Sequence, residues 1–162
     1  MVYSLTHIGI MIDSCAFHPP ISDEKKAMEK LWKLDEQEII QLEIAEATDE
    51  EMINAPLRFR ERLNSRICAR DMANTNEEER KIREIRDILF PGKIKLTDSD
   101  KMDVRNVFVA SKYSINFFVT CDKNHLLKKA DSIKDKFNLK VFTPCQCLDI
   151  IEKKLRGDQV DE

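Results

Sequence analysis

Asp13, Glu51, Asp103 and Asp122 are the side chains of this sequence whose types and placing could do chemistry together. Asp13 closes an apolar run, Ile8-Gly-Ile-Met-Ile-Asp13, and Asp122 closes a second, Ile115-Asn-Phe-Phe-Val-Thr-Cys-Asp122. Asp103 opens the helical pattern before the second run, and Glu51 lies one helical turn beyond a third run. Carboxylates brought within a few ångströms repel one another, and some take up protons unless a cation neutralises them. Hard divalent cations, Mg²⁺ or Mn²⁺, prefer such oxygen ligands. A centre of this kind can bind a phosphodiester, activate water and stabilise a leaving oxygen.

The elements that must position these acids alternate between strand and helix. The run to Ile12 predicts a central strand, apolar on both faces. A helix follows over about 23–34, capped by Ser22 or Asp23, and then a strand within Gln37 to Ala47. Thr48-Asp-Glu-Glu51 has the capping-box pattern of a new helix. Beyond Pro56 a basic helix is expected from Leu57 to about Met72, and an acid-led helix from Glu77 to Leu89. Lys93 to Leu96 reads as a short strand, and Thr97 to Asp100 caps the helix that carries Asp103. The strand Ile115–Val119, a helix over Lys123 to Lys136, a strand over Leu139 to Phe142 and a helix from Thr143-Pro144 complete the chain. Strands alternating with helices give a three-layer α/β/α fold with a mainly parallel sheet. Ligands in such sheets collect at the carboxyl ends of the strands, where Thr120 and Asp122 fall.

With 162 residues, the chain fits one domain over 1–156 with a polar tail over 157–162. The 30 acids and 27 bases give a net charge of −3, which does not mark a nucleic-acid binder but leaves room for a basic patch. Three glycines exclude a glycine-rich phosphate loop. No run reaches the roughly 18 apolar residues of a membrane span, and the N-terminus lacks the pattern of a secretory signal. Five cysteines without framework spacing fit a reducing, cytoplasmic setting.

The chain resembles the PIN domain family, compact α/β nucleases that include the toxins of bacterial toxin–antitoxin pairs. The resemblance rests on Ile10-Met-Ile-Asp13-Ser, Thr48-Asp-Glu-Glu51-Met, Asp103-Val-Arg-Asn-Val-Phe-Val-Ala110-Ser and Phe117-Phe-Val-Thr-Cys-Asp122-Lys-Asn-His-Leu, in family order, with Val141-Phe-Thr-Pro-Cys at the close. It implies Mg²⁺- or Mn²⁺-dependent cleavage of RNA in the cytoplasm, with Asp13, Glu51, Asp103 and Asp122 as metal ligands and Thr120 as a supporting hydroxyl. It also implies a homodimer and, for a toxin, an antitoxin-like protein partner. Glu50 competes with Glu51 for the second position. Asn106 stands where some members carry their third acid, so the choice of Asp103 depends on register.

Each residue also has a plainer reading. Glu51 can be a capping-box residue, Asp103 part of the Thr97–Asp100 cap, and Asp122 the cap of the next helix. The arginines of the central helix can form a solvated face. As an RNA-backbone surface, Arg58, Arg62 and Arg66 would lie along one face, with Lys123 beside Asp122. His18 and His125 read as surface or structural residues, and Cys121, Cys145 and Cys147 as buried thiols rather than zinc ligands. A catalytically inactive PIN-like binding or scaffold module is the competing function. A phosphatase with Asp13 as nucleophile would need a carboxylate two residues on, where Cys15 stands.

Overall fold

The computed structural model describes residues 5–64, 67–69, 73 and 75–160. Its centre is a five-stranded, all-parallel sheet in the order β3-β2-β1-β4-β5. The strands are β1 (Gly9–Ile12), β2 (Gln41–Ala45), β3 (Ile67–Ala69), β4 (Phe117–Val119) and β5 (Lys140–Phe142). Around it run α1 (Ser22–Glu36), α2 (Glu46–Glu51), α3 (Leu57–Asn64), α4 (Asn76–Leu89), α5 (Asp98–Lys112), α6 (Ala130–Phe137) and α7 (Pro144–Arg156).

Alternation along the strands divides the core into two layers. Ile10 and Ile12 of β1 join Leu42, Ile44, Phe117 and Val119 under α1 and α7, where Leu31, Trp32 and Ile151 are buried. Met11 and Phe118, one residue out of phase, face Ile85 of α4, Val107 and Phe108 of α5 and Ile133 of α6. The result is the expected three-layer α/β/α fold. No helix among the described residues is long and apolar enough to cross a membrane.

Several local readings need correction. Ser22 and Asp23 do not cap α1; its N-cap is Ile21, with no side-chain hydrogen bond. Thr48 does not open a helix either. Strand β2 ends at Ala45, α2 starts at Glu46, and Thr48 is buried within it, its hydroxyl toward Ile12 O and Asn106 Oδ1. The basic helix stops at Asn64, and Ile67–Ala69 pair with β2 as β3, a strand at the sheet edge. Lys93 to Leu96 forms no strand, and Ile94 is 94% exposed there. Thr97 and Thr143 do form capping boxes, with Asp100 and Gln146.

Candidate functional site

Strand order sets the place of the site. Chain connections leave β1 toward β2 and β3 on one side and run from β4 to β5 on the other. The gap between the C-terminal ends of β1 and β4 is therefore the topological switch point. Asp13 and Asp122 follow these two strands.

Asp13 is fixed across that seam. Its backbone N–H donates to Val119 O at 2.9 Å, extending the β1–β4 pairing by one residue. Its carboxylate caps a 3-10 turn, Ser14–Phe17, by accepting from Ser14 N at 2.8 Å. The same oxygen, Oδ1, accepts from Asn106 Nδ2 at 3.3 Å. The other, Oδ2, accepts from Thr120 Oγ1 at 2.7 Å and from the Cys15 thiol at 3.2 Å. Only 4% of Asp13 is exposed. Burial raises its pKa, the bonds from Thr120, Cys15 and Ser14 oppose the rise, and the charge of Asp122 adds to it.

Thr120 works in two directions, since its hydroxyl also accepts from Asp122 N at 3.0 Å. Asp122 then holds the following turn by accepting from Asn124 N and His125 N through Oδ1. That is why the helix expected from Lys123 does not begin there; a 3-10 turn at Leu127–Lys129 and α6 follow instead. The turn carries His125 back over the acids. Its Nδ1 lies 3.3 Å from Asp122 Oδ2 and 3.7 Å from Asp103 Oδ2, and its ring meets Phe90 edge-on at 5.0 Å.

Asp103 sits on α5 one turn before Asn106, and its side chain is 13% exposed. Burial and the charges of Asp13, Asp122 and Glu51 push its pKa up to about 8. Among the described residues no lysine or arginine pairs with Asp103 or Asp122. One ligand atom from each of Asp103, Asp122 and His125 falls within 4.8 Å of the other two.

The two glutamates separate cleanly. Glu50 is forked by Arg105 at 2.7 and 2.8 Å, which holds its carboxyl below the usual range. Glu51 lies exposed at the rim, its carboxyl beside Ser14. Lost hydration raises its pKa, the Ser14 bond opposes that, and Asp13 adds to it. Of the pair, Glu51 faces the acids.

No protein-family model matches this chain, and no curated protein matches it. Two carboxylates and an imidazole turned toward one point, with no cationic side chain among them, fit a divalent cation. Carboxylates suit Mg²⁺ and Mn²⁺, and the imidazole nitrogen tips the set toward Mn²⁺. Asp13 stands beside this group, with both oxygens engaged by protein donors.

His125 is the member that residue types alone did not single out; its signal was the spacing, three residues after an aspartate that ends a strand. The cysteine readings fare differently. Cys147 is fully buried, whereas Cys15, placed in no role beforehand, touches Asp13 and Thr120. The basic residues are dispersed. Lys123 lines a 380 Å³ cavity with Asp122, and Arg58 and Arg62 line a groove between α1 and α3. Arg66 lies outside the described residues.

Proposed function

We propose that this chain is a metal-dependent ribonuclease of the PIN type, hydrolysing RNA phosphodiester bonds at the β1–β4 switch point. One observation carries the reading. Asp103 from α5, together with Asp122 and His125 from the turn after β4, converge there with Asp13 and Glu51 alongside, and among the described residues no lysine or arginine pairs with Asp103 or Asp122. Mg²⁺ or Mn²⁺, when bound, supplies Lewis acidity toward the phosphodiester and its attacking water. Asp103, Asp122 and His125 are the residues that would hold it. Thr120 keeps the two strand ends in register by joining Asp13 to the backbone of Asp122. Glu51, at the rim with a raised pKa, is placed to accept a proton from water.

RNA as the substrate, a cytoplasmic setting, a homodimer and an antitoxin-like partner are proposals that rest on the resemblance to the PIN family. The test is cleavage of single-stranded RNA with Mn²⁺, compared with chelator and with Asp122→Asn. Cleavage that survives chelation or the substitution would sink the reading. One observation favours the inactive binding module instead: Asn106 donates to Asp13, whose oxygens are already occupied. Metal binding without cleavage would decide for that module.

A further inference from the structure

The loop that leaves Asp13 separates two hollows. Pro20 and Ile21 face the cavity beside Asp122 and Lys123, while Phe17, His18 and Pro19 face a groove of 260 Å³ between α1 and α3. Aromatic rings form part of the groove's lining. Phe59 is buried to 8% exposure, and its ring meets that of the exposed His18 at 5.8 Å with a 52° tilt. Cations border it: the Arg58 guanidinium lies 4.6 Å from the Phe59 ring centroid, and Lys25 enters from α1. Glu29 is the only acid among the described residues that line the groove, and Arg62 forks it at 3.2 and 3.1 Å. The same guanidinium lies over Trp32 at 5.0 Å, so Arg62 braces α3 on α1. Arg58 forms no ion pair among the described residues.

We propose that this groove is a subsite for one nucleotide of a single-stranded RNA, with the base on the His18 ring and phosphates at Lys25 and Arg58. The inference rests on the ribonuclease reading above. Aromatic platforms beside cations suit single strands, because every base offers a π-face and every linkage a negative charge. The groove also lies on the correct edge of the sheet. The chain leaves the C-terminal end of β1 at Asp13 and passes through the 3-10 turn Ser14–Phe17, and His18 follows Asp13 by five residues, a reach of at most about 18 Å. A strand with one phosphate at the acids can therefore lay a neighbouring nucleotide in the groove. Placing the cations there answers the repulsion that buried carboxylates exert on a polyanion.

The test uses the full chain in chelator with an oligouridylate carrying 4-thiouridine, crosslinked by light and mapped by mass spectrometry. Crosslinks are expected in the peptides holding His18 or Phe59. Lys25→Ala with Arg58→Ala should lower the slope of log affinity against log salt by about 1.4, two contacts at roughly 0.7 each. Lys25→Arg with Arg58→Lys should restore it. Lys134→Ala with Lys140→Ala removes the same charge at the opposite edge of the sheet, near the start of β5, and should leave the slope as it was. Crosslinks confined to the Lys123 cavity, or a slope that follows Lys134 and Lys140, overturn the subsite while Mn²⁺-dependent cleavage keeps the ribonuclease reading. Absence of both cleavage and binding overturns the two together.

Discussion

His125 contacts Asp122 twice, through its backbone N–H to Oδ1 at 3.2 Å and through Nδ1 3.3 Å from Oδ2. The turn that presents the imidazole is thus held by the carboxylate it faces. An imidazole nitrogen is a better ligand for Mn²⁺ than for Mg²⁺. His125→Ala should therefore weaken Mn²⁺ binding by roughly tenfold or more and Mg²⁺ binding less, as titration calorimetry can measure. Equal losses for both ions would remove His125 from the ligand set.

Asp103 makes stability depend on pH with a definite sign. Its pKa rises from 3.8 to about 8 on folding, so between these values the folded state holds the extra proton. Metal-free stability should then fall as pH rises from about 4 to about 8. Asp103→Asn should stabilise the metal-free protein at pH 8, by on the order of a few kcal/mol, and have little effect near pH 4. Mn²⁺ should raise the Tm of the natural protein at pH 8 and that of the variant much less. A natural protein whose Tm rises steadily from pH 4 to 8 in chelator would contradict this.

Glu50 and Glu51 should differ in kind. Glu51→Gln removes a charge facing Asp13 and Asp103 and should lower both Mn²⁺ affinity and RNA cleavage, the latter by roughly tenfold. Glu50→Gln only loosens the exposed fork with Arg105, worth at most about 1 kcal/mol, and should leave metal affinity near its original value. Calorimetric titration of the two variants side by side distinguishes them, and reversed effects would reassign the rim.

Thr120→Val deletes a hydroxyl that joins Asp13 to Asp122 N and also meets the Cys15 thiol. The Asp13 carboxylate loses its shortest hydrogen bond and Asp122 N loses its acceptor, so urea denaturation should show a loss of about 1–3 kcal/mol. Thr120→Ser should recover most of it. A Val variant as stable as the natural chain would mean that water substitutes for the hydroxyl.

Much of the frame is legible in the residues. Ile10, Met11 and Ile12 are apolar on successive faces because helices cover both sides of β1. Thr97 and Thr143 cap helices through local chemistry that needs no tertiary context. Other features depend on distant partners. Strand β3 is three residues long and exists by pairing with β2, so the charged stretch around it reads as helix. Thr48 looks like a cap until Ile12 and Asn106 claim its hydroxyl. The four acids were recognisable as a set, but their division was not. Arg105 selects between Glu50 and Glu51 from another helix, and His125 joins only because Asp122 bends the chain.

The bond between Thr120 and Asp13 spans 107 positions of sequence, and that separation bears on how the protein is made. Asp13 leaves the ribosome 107 residues ahead of Thr120, which directly follows β4. At about 5–20 residues per second, roughly 5–20 s pass between them. During that interval Asp13 has no strand to pair with on the β4 side, and Asp122 has not yet been joined to the chain. The acidic centre is therefore absent from every nascent chain that has not yet reached β4, and it comes into being only when the middle of the sheet closes.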